Sequence, residues 1–150
     1  MPRKRKRKRK PNSNIYYLVQ NGDIVEVGDT RTELQNLQRY YKQLKNTFMC
    51  GNLGDPIVAK DTLEVFEYFR QHNNNMWLSM NTNAGAKDVK WWQTLAKTIG
   101  RQGAVIFSVD GLSDTNHLYR QNVVWDNVER NMRAFIEAGG RARWDYIIFG

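Results

Sequence analysis

The sequence predicts an α/β fold in which a β-hairpin precedes about four parallel strands separated by helices. Three observations carry this. From residue 47 to residue 149, short apolar runs alternate with segments of helical periodicity. Strands separated by single helices pair in parallel through right-handed crossovers. Runs such as Ala104 to Phe107 lack polar alternation, which suits strands covered on both faces. Finally, "IYYLVQNGDIVEVG", residues 15 to 28, sets two β-prone runs around Asn21-Gly22, a pair that accepts the positive φ of a tight hairpin turn.

The elements follow in order. Residues 1–14 read as a disordered basic tail and linker, and residues 15–150 as one α/β domain. Within it, 15–45 hold the hairpin and a first helix, and 46–150 hold the alternating strands and helices. The first helix starts with Thr30 and Glu33 at capping-box spacing and carries a stripe of Leu34, Leu37, Tyr41 and Leu44. Thr47 to Cys50 is a strand, and residues 58–71 form a helix with Leu63, Phe66 and Phe69 facing in. "MWLSMN", 76–81, is a strand; 88–99 form a helix with Trp91, Leu95 and Ile99 on one face. "AVIFSVD", 104–110, is a strand, and 124–138 form a helix with Val128, Met132, Phe135 and Ile136 facing in. Gly139-Gly140 stops that helix, and "ARWDYIIF", 142–149, is the last strand. Of the five tryptophans, most fall at strand or helix positions that suit core packing.

The net charge of +8 belongs to one place. Arg3, Lys4, Arg5, Lys6, Arg7, Lys8, Arg9 and Lys10 form an unbroken basic run; the other 15 basic residues are balanced by 15 acids. Such a run repels itself and buries nothing. It reads either as a phosphate-binding arm or import signal with salt-sensitive, sequence-blind affinity for nucleic acid, or as a solubilising extension. The rest of the chain has no zinc-finger spacing, reading helix or basic stripe. No apolar run approaches the roughly 20 residues of a membrane span, and the start is charged where a signal peptide would be apolar. With a single cysteine, the expected setting is the cytoplasm.

The predicted strands end in "CGNLGDP", "MNTNAG" and "SVDGL". Ligands of parallel α/β proteins collect at this edge. Gly51, Asn52, Gly54, Asp55 and Pro56 form the first loop, Asn81 and Asn83 stand in the second, and Ser108 and Asp110 in the third. "GNLGDP" is neither a Walker loop nor a dinucleotide fingerprint. An acid beside open backbone carbonyls suits a cationic group such as an amine. Asp114, His117 and Arg120 follow at helix-like spacing as a solvated helix start.

Those three loops, together with "FSVDGLSDTNHLYRQNVVWDNVERNMRAFIEAGGRARWDYIIF", resemble the radical S-adenosylmethionine superfamily, in the branch whose members often carry an extra C-terminal cluster-binding domain. The resemblance covers roughly residues 43 to 149. It implies a partial (β/α) barrel with helices outside. It also implies that Gly51, Asn52, Gly54, Asp55 and Pro56 hold the methionine moiety of S-adenosylmethionine, and that Asn81, Asn83, Ser108, Asp110 and Arg120 line the rest of the pocket. Complete relatives cleave this cofactor to a 5′-deoxyadenosyl radical with a [4Fe–4S] cluster held by CxxxCxxC, and then act on a small-molecule or peptide substrate.

This chain lacks that motif. The loop after Ile24 to Val27 reads "GDTRT", and Cys50 is the only thiol, with His72 and His117 outside ligand spacing. No metal site is therefore expected, and Cys50 is expected in the core. The reading is an incomplete enzyme core from a partial or rearranged gene, inactive alone, that either keeps a vestigial cofactor pocket or needs a second chain to complete its barrel. The alternative is a non-catalytic binding protein whose rim takes S-adenosylmethionine, a nucleoside or a peptide, and whose basic arm tethers it to nucleic acid.

Overall fold

A computed structural model describes residues 16–20, 23–27, 38–51 and 54–148. The basic tail and its linker, the Asn21-Gly22 turn, the Thr30–Glu33 capping box, Leu34, Leu37 and Asn52 lie outside them. Six strands form one sheet in the order β2-β1-β3-β4-β5-β6. β1 (Tyr16–Gln20) and β2 (Asp23–Val27) pair antiparallel from Tyr16↔Val27 to Gln20↔Asp23. β1 also pairs antiparallel with β3 (Asn46–Met49), through Tyr17↔Phe48 and Leu18↔Thr47. β3, β4 (Trp77–Thr82), β5 (Gly103–Ser108) and β6 (Ala142–Asp145) are parallel neighbours.

The parallel strands follow one another in chain order, without the reversal of a doubly wound sheet. Right-handed crossovers then place successive helices on the same face. The sheet is thus a partial (β/α) barrel. The helices are α1 (Gln38–Tyr41), α2 (Thr62–His72), α3 (Val89–Ile99), the short α4 (Asn116–Tyr119) and α5 (Trp125–Glu137). Met49, Leu78, Met80, Val105 and Phe107 form the sheet's side of the main core, with Phe66, Phe69, Trp92 and Phe135 from the helices. Trp92, Phe107 and Phe135 meet at centroid separations of 5.8 to 6.3 Å.

The opposite face carries Phe48, Ser79, Asn81, Ala104, Ile106 and Ser108, which share it through the pairs Phe48↔Ser79, Ser79↔Ala104 and Asn81↔Ile106. These are mostly small or polar, and Phe48 is 41% exposed. The helices therefore lie outside the barrel, as expected, and Ser79 and Ala104 are buried on the concave side as well. Ala104 to Phe107 reads as continuous because Val105 and Phe107 lie under the helices while Ala104 and Ile106 face the barrel's concave side.

Several boundaries and burials also differ from expectation. Pro56–Val58 is a separate 3-10 turn, and α2 begins only at Thr62, whose hydroxyl donates to the Pro56 carbonyl. Ile136 is exposed; the buried face of α5 is Val128, Asn131, Ala134 and Phe135. Cys50 is exposed because the alternation of β3 buries Thr47 and Met49 and turns Phe48 and Cys50 away. Trp144 is exposed because β6 is an edge strand among the described residues, and β6 ends at Asp145, short of the predicted 149.

Candidate functional site

The first loop is built around Asp55. Gly51 leaves β3 in a tight turn closed by Gly54 N–H donating to the Gly51 carbonyl at 3.2 Å. A Cβ on Gly51 would overlap the Gly54 carbonyl, and Gly54 holds φ +146°, so the turn needs both glycines. Asp55 then caps the 3-10 turn, its Oδ1 accepting from Ile57 N at 3.1 Å. Its Oδ2 accepts from Asn83 N at 2.7 Å, which ties the loop after β3 to the loop after β4. Burial pushes the Asp55 carboxyl above its ordinary range; hydrogen bonds from Asn83, Ile57 and Thr82 and the charge of Arg120 pull the other way without cancelling it.

The second loop is folded on itself. Asn83 Oδ1 accepts from Gly85 N at 2.8 Å, and Thr82 Oγ1 accepts from Ala84 N at 3.0 Å. Asn131 on α5 fastens it from below, its Nδ2 donating to the carbonyls of Ala84 at 2.8 Å and Ala86 at 3.0 Å. Asn81, at the end of β4, differs from both. Its Oδ1 is buried and has no hydrogen-bond partner among the described residues. Such an atom costs about 1–3 kcal/mol relative to a paired one.

The third loop is organised by Asp110, whose side chain is fully buried. Its Oδ2 accepts from Arg120 Nε at 2.5 Å, its Oδ1 from Ile147 N at 2.9 Å, and its own N–H donates to Asn116 Oδ1 at 3.1 Å. One carboxylate therefore joins the end of β5 to α4 and to the segment after β6. The Arg120 side chain is 26% exposed, lies over Tyr119 at 5.1 Å, and its terminal nitrogens make no hydrogen bond among the described residues. Ser108, Asp110, Arg120, Trp144, Asp145, Tyr146 and Ile147 line a cavity of about 630 Å³ here, a size that suits a small molecule.

Asp55, Asn83, Asp110 and Arg120 are thus brought together by direct contacts or by proximity of charge, and Ser108 opens into the same cavity. Asn81 stands in register beside Ile106, two residues before Ser108 on the neighbouring strand. Pro56 is buried at the start of the 3-10 turn. Asn52 and the residues from Arg3 to Lys10 lie outside the described residues. Asn131 is not among the residues that the sequence predicts for the site. Its signal is an asparagine on the apolar stripe between Val128 and Phe135, where an unpaired amide would be costly.

The donor set bears on which groups can be held. Among the described residues no three His, Cys, Asp or Glu side chains are grouped to hold a metal ion. More tellingly, the chain has one cysteine where a site-differentiated [4Fe–4S] cluster takes three, so its residues do not fit that group. The cavity offers a polar organic ligand a hydroxyl at Ser108 and a guanidinium at Arg120, and Asn81, outside its lining on the neighbouring strand, adds an unsatisfied buried acceptor. No helix among the described residues is long and apolar enough to cross a membrane.

No protein-family model matches the sequence, and no curated protein is significantly similar to it. The structure is similar to two solved structures of anSMEcpe, both with bound AdoMet. The hexahistidine-tagged form matches at TM-score 0.58 and 18% identity over 90% of this chain and 40% of that one. The native form matches at TM-score 0.56 and 22% identity over 80% of this chain and 36% of that one. This chain therefore spans about two fifths of the length of anSMEcpe, and what the likeness establishes is a shared fold.

Proposed function

We propose that the carboxyl-end rim of this chain binds S-adenosylmethionine and that the chain alone does not cleave it. The observation that carries the binding is the buried, unpartnered Asn81 Oδ1. It sits near the end of a parallel strand, among loops that Asp55, Asp110 and Asn131 fasten by hydrogen bonds. An orphaned acceptor is a cost to the free protein that a bound donor removes. The fold shared with AdoMet-bound anSMEcpe makes this cofactor the preferred ligand.

In this reading Asn81 accepts from the ligand's ammonium or a ribose hydroxyl, and Ser108 hydrogen-bonds beside it. Arg120, with its Nε spent on Asp110, presents its terminal nitrogens to the carboxylate. Asp55 acts through position. Its two oxygens hold Ile57 N and Asn83 N, so it fixes the loop spacing and supplies negative charge without leaving its post. The bound cofactor would contribute an electrophilic sulfonium. Reductive cleavage needs an electron donor at that centre, and one exposed Cys50 does not supply the ligands for a cluster. The reading is a binding module whose reducing partner, where there is one, comes from elsewhere.

Calorimetric titration with S-adenosylmethionine tests this. Saturable binding at one site per chain is expected, weakened about tenfold by Asn81→Leu, the loss of one hydrogen bond to a charged or buried group. Arg120→Lys, which keeps the charge but loses the fork, is expected to weaken it by a similar factor. Absence of saturable heat in the unmodified protein would remove the proposal.

A second reading concerns the basic run. Eight consecutive cations beside an otherwise balanced chain favour a polyanion-binding arm. Full engagement on duplex DNA predicts a log K against log salt slope of about −7, falling to near zero when residues 1–10 are deleted. A slope unchanged by the deletion would place any binding elsewhere.

A further inference from the structure

We infer that β6 is a self-complementary edge and that a second copy of this chain pairs with it, antiparallel, about a two-fold axis at Trp144. β6 ends the sheet among the described residues, and its four residues are exposed. Val105 N donates to the Arg141 carbonyl at 3.0 Å and Val109 N to the Asp145 carbonyl at 3.2 Å, while Ile147 N turns to Asp110. Arg141, Arg143, Asp145 and Ile147 therefore direct their backbone groups inward. The alternate residues Ala142, Trp144 and Tyr146 direct theirs at solvent.

An antiparallel partner must pair outward-facing residues with outward-facing residues, which leaves few registers. With the axis at Trp144, Trp144 pairs with its own copy and Ala142 with Tyr146, all through exchanged backbone bonds. Arg143 then stands opposite Asp145 of the second copy, and Asp145 opposite Arg143. Both are non-hydrogen-bonded pairs, with Cα atoms about 4.5 Å apart and side chains close. Moving the axis one residue sets Arg143 or Asp145 against its own copy. Moving it two sets Arg141 against Arg143, or leaves Asp145 facing Ile147. Only the Trp144 register matches every charge.

Charged residues on an edge strand ordinarily guard it against pairing. A guard of one sign would repel a copy; here opposite signs alternate so that two copies attract. The same register covers Trp144 and Tyr146, which are 58% and 55% exposed. It also reaches the candidate site. Asp145 lines the 630 Å³ cavity, so Arg143 of the second copy would stand at the cavity's open side.

Sedimentation equilibrium of the full chain, without added ligand, tests this independently of cofactor binding. The expected result is a reversible dimer. Asp145→Arg should weaken it roughly 30-fold, since two attractive cross-strand pairs become repulsive. Combining it with Arg143→Asp should restore the dissociation constant to within about threefold, because the swapped charges again alternate. Arg143→Asp alone, which should weaken it as much, guards against misfolding of the first variant. A chain that stays monomeric at all concentrations overturns the inference and leaves the edge to some other strand. A dimer indifferent to either single change, or not restored by the swap, overturns it equally.

Discussion

At the residue scale, Asn81 sets binding against stability. Its buried oxygen lacks a partner among the described residues, so the free protein carries a penalty that the proposed ligand would relieve. Asn81→Leu, of similar volume, is expected to stabilise the ligand-free protein by about 1–3 kcal/mol while weakening cofactor binding. Thermal unfolding with and without S-adenosylmethionine measures both, and a destabilised variant would show that the amide serves the fold. Asp55 has the opposite character. Asp55→Ala leaves Ile57 N and Asn83 N without their acceptor and should cost about 1–3 kcal/mol near neutral pH. The sign of its pH dependence follows from burial. The folded carboxyl titrates above the ordinary 3.8, so the folded state binds the proton more tightly. Its contribution to stability rises as pH falls through the raised value toward 3.8, and is lost as pH rises back through it. The gap between wild type and Asp55→Ala should widen over that window in denaturant titrations; a gap that narrows on acidification contradicts the assignment. That Asp55, Asn81, Ser108 and Asp110 stand at or just beyond the carboxyl ends of neighbouring strands is legible in the sequence, because those strand ends open into Gly, Asn and Asp, whereas Arg120 enters only through the family resemblance. What Asp55 does there is not legible: its second partner is 28 residues away, and only the β3–β4 pairing brings Asn83 N to it.

At the element scale, Arg70 joins α2 to α3 through the backbone. Its guanidinium donates to the carbonyls of Asn74, Met76, Thr98, Ile99 and Gln102, at 2.7 to 3.1 Å. These are carbonyls at or beyond the ends of two helices, where cations and donors are favoured. Arg70→Ala is expected to cost about 3 kcal/mol, and Arg70→Lys to recover less than half of it, because a point charge cannot reach five carbonyls at once. Chemical denaturation checks both; a lysine variant as stable as wild type would mean that charge alone suffices. Helix faces are readable where apolar spacing is clean, as for Phe66 and Phe69 on α2 or Leu95 and Ile99 on α3. Spacing fails where another force decides. Asp55-Pro56 starts a 3-10 turn that delays α2 to Thr62, and the buried face of α5 is turned toward Asn131 and Ala134 and away from Ile136. Cys50 is expected inside because cysteine is usually buried, but strand alternation turns it out.

At the scale of the whole molecule, strand order without a reversal explains both the fold and the location of the rim. Every parallel strand ends on the same side, so the loops after β3, β4 and β5 converge, while the helices cover the opposite face of the sheet. Periodicity alone leaves open sheet and partial barrel undecided, since both give the same alternation of strands and helices; strand order separates them. The concave face carries the small or polar Ser79, Asn81, Ala104 and Ser108 beside Phe48 and Ile106. The proposed ligand is S-adenosylmethionine, bound at the carboxyl-end rim. Backbone amide shifts recorded by NMR during titration of the full chain with S-adenosylmethionine test it most directly. Saturable shifts are expected at Gly51, Asn83, Ser108 and Gly111. Shifts centred instead around Arg70, Lys97 and Arg101, which line a cavity of about 490 Å³ at the opposite end of the strands, would contradict it, as would no shift at all.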